Sequence, residues 1–349
     1  MVTQIAAGRV YDYSYCLGRG GITGIGFQDI NGIAIGPNNT IYVLNRGGEN
    51  IASVPWNKTG RGTRVGVFNL GNGQGEEAFL TEFGKYGDGA GEFIWPSAIA
   101  LDHEQRVFVS DEFLNSVSIF DSEGNFLKSW QGKKPDGSLL QGPSGIAISN
   151  SQEIYIVESH GHKISQFSLD GDFIREWGSQ GSDPGMLDSP WGIAIDSENN
   201  TYVADHKNDR VQKFGPTGEV LAIFGSSGTG RGELIRPSDV SVDDSGDVYV
   251  CDWANSRIQI YSPDGRFITS LMGDARDLSM WSQMMTDANP AVIQRRREVK
   301  DPETEWRLAL PVTVVFDNVK SQILIGDTQR NRIQIYNKLA EYNQPQRNL

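Results

Sequence analysis

The chain has 349 residues and a formal net charge of −13 at neutral pH, from 31 basic and 44 acidic side chains. This acidic balance disfavours nucleic-acid binding, which usually depends on a basic face that neutralises phosphates. No apolar run approaches the roughly 18 residues that a membrane-spanning helix requires, so the sequence predicts no membrane span.

The N-terminal segment lacks the features of an export signal. Residues 1–8 have neither a basic start nor an apolar core. The two cysteines, Cys16 and Cys251, fall on different predicted strands and do not form a metal-binding or redox spacing. We expect both to be free thiols, which favours a reducing compartment, and we therefore predict a cytoplasmic protein.

A six-residue phrase of the type Pro-x-x-[IV]-[AS]-[IVL] recurs along the chain. Its regular copies repeat every 47 residues and begin at Pro96, Pro143, Pro190 and Pro237. Each copy is followed 15 residues later by an acid that ends a β-prone run, at Asp111, Glu158, Asp205 and Asp252. Less regular copies begin at Ile30 and Pro311. A fixed period in the forties with several strands per unit is typical of β-propeller blades.

The unit that begins at Pro237 shows how each blade is expected to fold. Runs with alternating apolar residues span 238–242, 247–252, 257–261 and 266–271, and Asp- or Gly-containing turns separate them. Each unit therefore predicts a four-stranded antiparallel sheet, and residues 1–349 together predict one all-β domain, a six-bladed β-propeller.

The sixth unit supplies only three strands, of which the last ends near Tyr336. We expect the N-terminal run Val10–Tyr15 to provide its fourth strand. This pairing would close the ring and remove an open sheet edge.

An acid at the end of the second strand is paired with a base at the start of the third in several units. The pairs are Asp205/Arg210, Asp252/Arg257 and Asp327/Arg332. The ring of acids is reminiscent of catalytic carboxylates. We nevertheless interpret the pairs as structural salt bridges at one edge of each blade.

Three segments carry a family resemblance. Val203–Phe214, Asp252–Tyr261 and Gly326–Tyr336 resemble NHL repeats, and the resemblance extends over essentially the whole chain. It implies the propeller fold. NHL propellers include enzymes, RNA-binding proteins and protein-interaction platforms, so the resemblance does not choose an activity.

Strand direction brings two sets of loops to the same end of the predicted central channel, which we call the mouth. Side chains there differ from blade to blade, whereas purely structural positions should repeat. The predicted ligand-binding residues at the mouth are Arg46, Glu112, Phe113, His160, Trp191, His206, Trp253 and Thr328. Arg46, Glu112 and His206 are also the candidate catalytic residues, because a cation can hold an anionic group while a carboxylate or imidazole transfers protons.

Each of these residues has a structural alternative. Arg46 could pair with an acid of a neighbouring blade, Glu112 could be a surface residue, and the histidines could be solvated loop residues. Trp191 replaces the Ser of its sister units, so its indole either plugs the channel or forms a wall for a ligand.

Two units carry extra residues. Residues 273–309 join two blades at the mouth, and their helix-compatible run Leu278–Met285 holds three of the six methionines. We interpret this insertion as a lid or a partner-contact surface, with packing on the outer rim as the alternative. The shorter insertion, residues 57–76, is predicted to connect strands three and four of the first blade and to lie on the opposite face.

A second, more distant resemblance concerns catalysis. Tyr42–Gly47 resembles a segment of the peptidyl-hydroxyglycine amidating lyases, where such an Arg is catalytic. Phe113 stands where that family has a catalytic Tyr. The positions of its zinc-binding histidines hold Ser97, Ser144, Trp191 and Ser238, so this chain lacks the ligands that zinc would need.

The sequence therefore predicts a propeller that binds a small polar ligand or a peptide at the mouth, or a protein partner through residues 273–309. The alternative is a hydrolase or lyase that acts on a small anionic substrate in the same pocket. No cofactor and no metal are expected. Acids near the axis could supply oxygen ligands to Ca²⁺, but their spacing does not support such a site.

Overall fold

The computed structural model describes residues 3–51 and 58–340, and these residues form a six-bladed β-propeller. Each blade is an antiparallel sheet of four strands, and a fifth strand extends the last blade. The first strands of neighbouring blades contact one another around the axis, and the ring closes where blade six meets blade one. The predicted fold class is confirmed.

The strands follow one another in chain order. Before the first blade lie β1 (Thr3–Ala6), β2 (Arg9–Leu17) and the short parallel pair β3 (Arg19–Gly20) and β4 (Gly26–Phe27). Blade one comprises β5 (Ile30–Ile35), β6 (Thr40–Asn45), β9 (Arg64–Asn69) and β10 (Ala78–Phe83), with the hairpin β7 (Gly48–Ile51) and β8 (Lys58–Arg61) inserted. Blade two comprises β11 (Pro96–Leu101), β12 (Val107–Asp111), β13 (Ser116–Phe120) and β14 (Phe126–Trp130). Blade three comprises β15 (Pro143–Ile148), β16 (Glu153–Glu158), β17 (Lys163–Ser168) and β18 (Phe173–Trp177).

The second half of the ring repeats this order. Blade four comprises β19 (Ile193–Ile195), β20 (Thr201–Asp205), β21 (Arg210–Phe214) and β22 (Val220–Phe224). Blade five comprises β23 (Pro237–Val242), β24 (Val248–Asp252), β25 (Arg257–Tyr261) and β26 (Phe267–Leu271). The helices α1 (Met280–Asp287), α2 (Pro290–Arg297) and α3 (Glu303–Trp306) follow, and then β27 (Thr313–Asp317), β28 (Gln322–Asp327) and β29 (Arg332–Leu339) of blade six.

The apolar core is divided among the blade interfaces. Six clusters of buried side chains lie between the six pairs of neighbouring sheets, because both faces of each sheet are covered by a neighbour. Between blades one and two, for example, Val65 of β9 and Phe93 pack with Phe120 of β13. Stability is therefore spread around the ring rather than concentrated in one centre.

The N-terminal strand closes the ring as predicted. Strand β2 pairs antiparallel with β29, from Val10 opposite Leu339 to Leu17 opposite Ile333. Strand β1 was not predicted, and it adds a fifth strand outside β2. The turn between β1 and β2 places Ala7 and Gly8 at positive φ, 49° and 77°, which is the geometry of a tight two-residue hairpin.

The acids at the ends of the second strands have the structural role that the sequence indicated. Nε of Arg210 lies 2.9 Å from Oδ2 of Asp205 in blade four. The corresponding distances are 2.6 Å for Arg257 and Asp252 in blade five and 2.8 Å for Arg332 and Asp327 in blade six. These carboxylates are buried and do not line the channel. Blade three uses a different cation, since Nζ of Lys134 lies 2.6 Å from Oε1 of Glu158.

The predicted position of the shorter insertion, residues 57–76, is wrong. Strand β6 pairs directly with β9, so the long connection in blade one is 46–63, between its second and third strands and hence at the mouth. Residues 48–51 pair with 58–61 in a separate hairpin. Only 70–77 connect strands three and four, and residues 52–57 lie outside the described residues.

The longer insertion packs against the outside of the ring. Trp281 of α1 is buried in the cluster between blades six and one, with its ring centroid 5.7 Å from that of Phe68. Ser279 caps α1 and also donates a hydrogen bond to the Gly18 carbonyl. Within the described part of the chain, no helix is both long enough and apolar enough to cross a membrane.

Both cysteines are free and buried, as predicted. Cys16 lies on β2 and Cys251 on β24, and burial raises the pKa of both thiols. A protonated, enclosed thiol is a poor nucleophile, so we assign both residues to packing.

Candidate functional site

A cavity of about 700 Å³ lies on the axis, enclosed by the first strands of all six blades. Along the strands its wall is made of small and β-branched residues, among them Ile33, Ile99, Ile146, Ile193, Val240 and Val314. Charged, hydroxyl and aromatic side chains join this apolar wall. The cavity therefore has the size and mixed character of a small-molecule site.

The single turns after the second strands place some of the mouth residues. His206–Asn208, Trp253–Asn255 and Thr328–Arg330 each form one turn of 3-10 helix. In blades four and five, the Asn at the end of the turn donates to the acid that precedes it, at 2.9 Å to Oδ2 of Asp205 or Asp252. This hydrogen bond fixes the first residue of the turn next to the axis.

Trp191, His206 and Trp253 form an aromatic cluster. The Trp191 and His206 rings are stacked, with centroids 3.8 Å apart and planes 15° apart. The Trp253 ring lies 6.3 Å from Trp191 at an angle of 63°. Both indoles line the cavity, so Trp191 forms part of the wall.

His206 does not reach the cavity. It is 6% exposed, lies behind Trp191 and does not belong to the lining. Its Nδ1 lies 3.1 Å from the Pro237 carbonyl, which can only accept, so Nδ1 carries the proton. Burial lowers the pKa of His206 to about 4. The structure thus supplies a neutral support for the Trp191 ring where the sequence predicted a proton-transfer group.

Arg46 lies at the mouth and lines the cavity. Its guanidinium carbon is 5.1 Å from the centre of the Trp95 ring, a distance typical of a cation–π contact. Asp29, which also lines the cavity, has a pKa raised by burial, and the charge of Arg46 opposes that shift. The cation therefore interacts with one carboxylate electrostatically and with one indole through its ring.

Glu112 lines the cavity next to the third blade. Its Oε1 accepts a hydrogen bond of 2.8 Å from Ser159 Oγ and lies 3.5 Å from Nε2 of His160. The His160 side chain is 65% exposed and does not line the cavity.

Phe113 and Thr328 differ in their placement. Phe113 lies outside the cavity, half exposed, with its ring 5.3 Å from that of Trp95. Thr328 lines the cavity, and its hydroxyl donates to the Ile30 carbonyl at 2.8 Å.

The structure therefore brings five predicted residues to the cavity wall, namely Arg46, Glu112, Trp191, Trp253 and Thr328. It leaves Phe113, His160 and His206 outside.

One wall residue was missed by the sequence analysis. Asp239, on the first strand of blade five, lines the cavity. The equivalent position of the other blades, two residues after the start of the phrase, holds Gly32, Ala98, Gly145, Gly192 and Thr313. A carboxylate among small residues is the signal that would have identified it.

The Asp239 carboxylate is held by blade six. Its Oδ2 accepts from Thr313 Oγ1 at 2.9 Å and from the Val314 amide at 3.0 Å, and its Oδ1 accepts from the Val240 amide at 2.9 Å. Burial nevertheless raises the pKa of Asp239 to about 7. The carboxyl can therefore gain or lose a proton near neutral pH.

Two further observations limit what the cavity holds. Among residues 3–51 and 58–340, no cluster of three or more His, Cys, Asp and Glu side chains could hold a metal ion. No residue of the 273–309 insertion belongs to the cavity lining. The insertion therefore contributes no side chain to the cavity wall.

Comparison with known proteins identifies the repeats. Residues 187–214 and 234–261, which lie in blades four and five, match the NHL repeat family. A stretch of 48 residues, 14% of this chain, is 46% identical to Protein lin-41 of Caenorhabditis elegans. The match spans only 4% of the length of that protein.

Solved structures share the fold at low sequence identity. A virginiamycin B lyase from Staphylococcus aureus, in a catalytically inactive form with quinupristin, is 14% identical, with a TM-score of 0.51 over 91% of this chain and 98% of that one. A protein of unknown function from Bacteroides thetaiotaomicron is 16% identical, with a TM-score of 0.60 over 95% of this chain and 76% of that one.

Proposed function

We propose that this NHL-repeat β-propeller is a binding protein that takes a small polar ligand or the end of a peptide into the mouth of its central channel. The observation that carries the proposal is the cavity of about 700 Å³, in which two indoles and four charged side chains of the described residues meet an apolar wall. Convergent polar groups in a concave, largely apolar site are the usual features of ligand binding.

The arrangement of titratable groups favours binding over catalysis. His206, the predicted proton-transfer residue, is neutral and separated from the cavity by Trp191. Glu112 already accepts the Ser159 hydroxyl. The remaining groups can recognise a ligand by charge, hydrogen bonding and stacking without any chemical step.

The binding site can be tested with short peptides whose ends are free or blocked, namely trialanine, N-acetyl-trialanine and trialanine amide. Binding in the channel should shift the indole N–H resonances of Trp191 and Trp253 in two-dimensional NMR spectra of the full chain. Trp253→Leu should weaken binding about tenfold or more, because a central aromatic anchor supplies much of the affinity. Trp306→Leu, which alters an indole outside the cavity, is the matched control.

The proposal fails if bound peptides shift resonances only outside the cavity. It also fails if Trp253→Leu and Trp306→Leu change the affinity equally.

A hydrolase or lyase that acts on a small anionic substrate is the second candidate, and two observations favour it. Arg46 offers a cation at the mouth, and the Asp239 carboxyl has a pKa of about 7, which suits proton transfer near neutral pH. Turnover of small carboxylate or phosphate esters that is lost in both Arg46→Ala and Asp239→Asn would support this function. Turnover unaffected by both variants would exclude this site.

A protein partner could dock on the insertion. Met284 and Met285 of α1 are 63% and 55% exposed, and adaptable thioether surfaces suit protein contacts. Protection of 280–297 from hydrogen exchange only when a partner is present would support this role.

A further inference from the structure

We propose that the channel selects ligands that carry a protonated amine or a guanidinium group, and that Asp239 is their anionic anchor. The inference deepens the proposed function and rests on it, because it assigns a chemical class to the ligand of the same cavity.

The charge of the cavity wall is the first argument. Among the described residues, the charged groups of the lining are the acids Asp29, Glu112 and Asp239 and the cation Arg46. Three acids and one cation leave two formal negative charges, and Arg46 already interacts electrostatically with Asp29 and contacts the Trp95 ring. The wall therefore keeps an excess of negative charge, which raises the local concentration of cations.

The surroundings of Asp239 are the second argument. Its hydrogen-bond donors are the Thr313 hydroxyl and two backbone amides, and no cation of the described residues forms an ion pair with it. A carboxylate that faces a cavity without a cation is destabilised in its ionised form, which agrees with its raised pKa. A bound cation would supply the missing charge and favour ionisation.

The position of Asp239 relative to blade four shows why the group stays accessible. The neighbouring residue is Gly192, and a β-carbon there would lie 2.4 Å from Oδ1 of Asp239. Any larger residue at 192 would therefore cover or displace this oxygen. The same cavity wall contains the indoles of Trp191 and Trp253, whose faces attract ammonium and guanidinium groups.

The apolar wall defines the rest of the ligand. Ile146, Ile193 and Val240 line the cavity along the strands beyond the mouth. A cation with a short alkyl or aromatic body would place its charge against Asp239 and bury its carbon atoms on this surface.

A series of small alkyl probes that differ in their polar group tests the inference on the full chain at pH 8. We would use n-butylammonium, n-butylguanidinium, 1-butanol and n-butyrate, and follow the Trp191 and Trp253 indole resonances by NMR. The two cations should bind with a Kd about tenfold or more below those of butanol and butyrate, since about 1.4 kcal/mol corresponds to a factor of ten. Asp239→Asn should abolish this preference, so that the two cations bind no more tightly than butanol.

Two variants keep the test decisive. Asp244→Asn alters an exposed acid in the turn at the opposite end of blade five and should change nothing. If Asp239→Asn does not fold, Asp239→Thr replaces it, because blade six has Thr313 at the equivalent position.

Equal affinity for all four probes, tighter binding of butyrate, or a cation preference that survives in both Asp239 variants would overturn the inference. Peptide binding that depends on Trp253 would then still support the proposed function. If neither the probes nor the peptides shift the indole resonances, both proposals fail.

Discussion

The imidazole of His206 lies flat against the indole of Trp191, 3.8 Å away, while its Nδ1 donates to the Pro237 carbonyl. This contact joins blades four and five through one side chain. It also fixes the orientation of an aromatic residue in the cavity wall, because the ring behind Trp191 cannot rotate without breaking its hydrogen bond.

We predict that His206 makes stability depend on acid pH. Its pKa is about 4 in the folded protein against 6.5 unperturbed, so the unfolded chain binds more protons between these values. The free energy of unfolding should be highest above pH 6.5 and fall by as much as about 3 kcal/mol as the pH decreases to 4. Urea denaturation at several pH values measures this loss.

His206→Phe keeps a ring beside Trp191, but the new side chain cannot ionise. The unfolding free energy of this variant should therefore not show the decrease between pH 6.5 and pH 4 that comes from His206. His103→Phe, at an exposed turn, serves as the control. An NMR titration in which His206 gains its proton near pH 6.5 would contradict the prediction.

Asp239 should have the opposite effect on the pH dependence of the free energy of unfolding. Burial raises its folded pKa to about 7, so the folded state binds more protons than the unfolded state between pH 4 and pH 7. The free energy of unfolding should therefore decrease as the pH rises through this range, by as much as about 4 kcal/mol from this group. The difference between wild type and Asp239→Asn isolates the contribution from those of the other buried acids. A difference that is constant with pH would disprove it.

Deletion of residues 1–18 should strongly destabilise the ring. Tyr11, Tyr15 and Leu17 of β2 are buried against blade six, and the edge of β29 would lose its partner. We expect the melting temperature to fall by about 10 °C or more. Deletion of residues 1–6 removes only the outermost strand and should have a much smaller effect. Equal melting curves for the 1–18 deletion and the intact chain would rule out this closure.

Trp281→Ala should release the insertion from the ring. The indole is 6% exposed and packs on Phe68, so its removal should cost about 3–5 kcal/mol of unfolding free energy. Faster hydrogen exchange in 280–297 would locate the change. Met284→Ala, at an exposed position of the same helix, should leave both measurements unchanged. Peptide binding in the channel should survive in both variants.

Lys134 should be essential for the stability of blade three. Its Nζ lies 2.6 Å from Glu158 and 2.8 Å from Glu176, and the Glu158 side chain is fully buried. Lys134→Met should cost about 3–5 kcal/mol, because it leaves a buried carboxylate without its cation. Adding Glu158→Gln should restore much of the stability, while Lys133→Met at the exposed neighbouring position should have little effect.

The fold could be predicted because each repeat of the sequence corresponds to one blade. The phrase at Pro96 and its three regular copies mark the first strands of blades two to five, and the acid that follows each copy marks the end of the second strand. The missing strand of blade six pointed to the N-terminus. The sequence analysis did not identify the hairpin within 46–63, whose strands have the sequences GENI and KTGR and lack the apolar alternation of a blade strand.

The candidate site was predicted less completely. Loop positions such as Arg46, Glu112 and Trp253 could be assigned to the mouth from strand direction alone. The sequence could not show that His206 turns behind Trp191, since both orientations are compatible with the same loop. Asp239 lies within the first strand of blade five, one residue beyond the position that Trp191 occupies in blade four, and the sequence analysis did not predict it.

The pairing of β2 with β29 has a consequence for synthesis of the protein. The paired residues Val10 and Leu339 are 329 positions apart (339 − 10), so a ribosome must translate the whole intervening segment before blade six can assemble. Earlier blades can form in sequence, but contacts between such distant segments are slow to establish. Until then, the blades of the nascent polypeptide form an incomplete ring, and the channel is not closed. The ligand site that we propose would therefore be complete only after the last blade has formed.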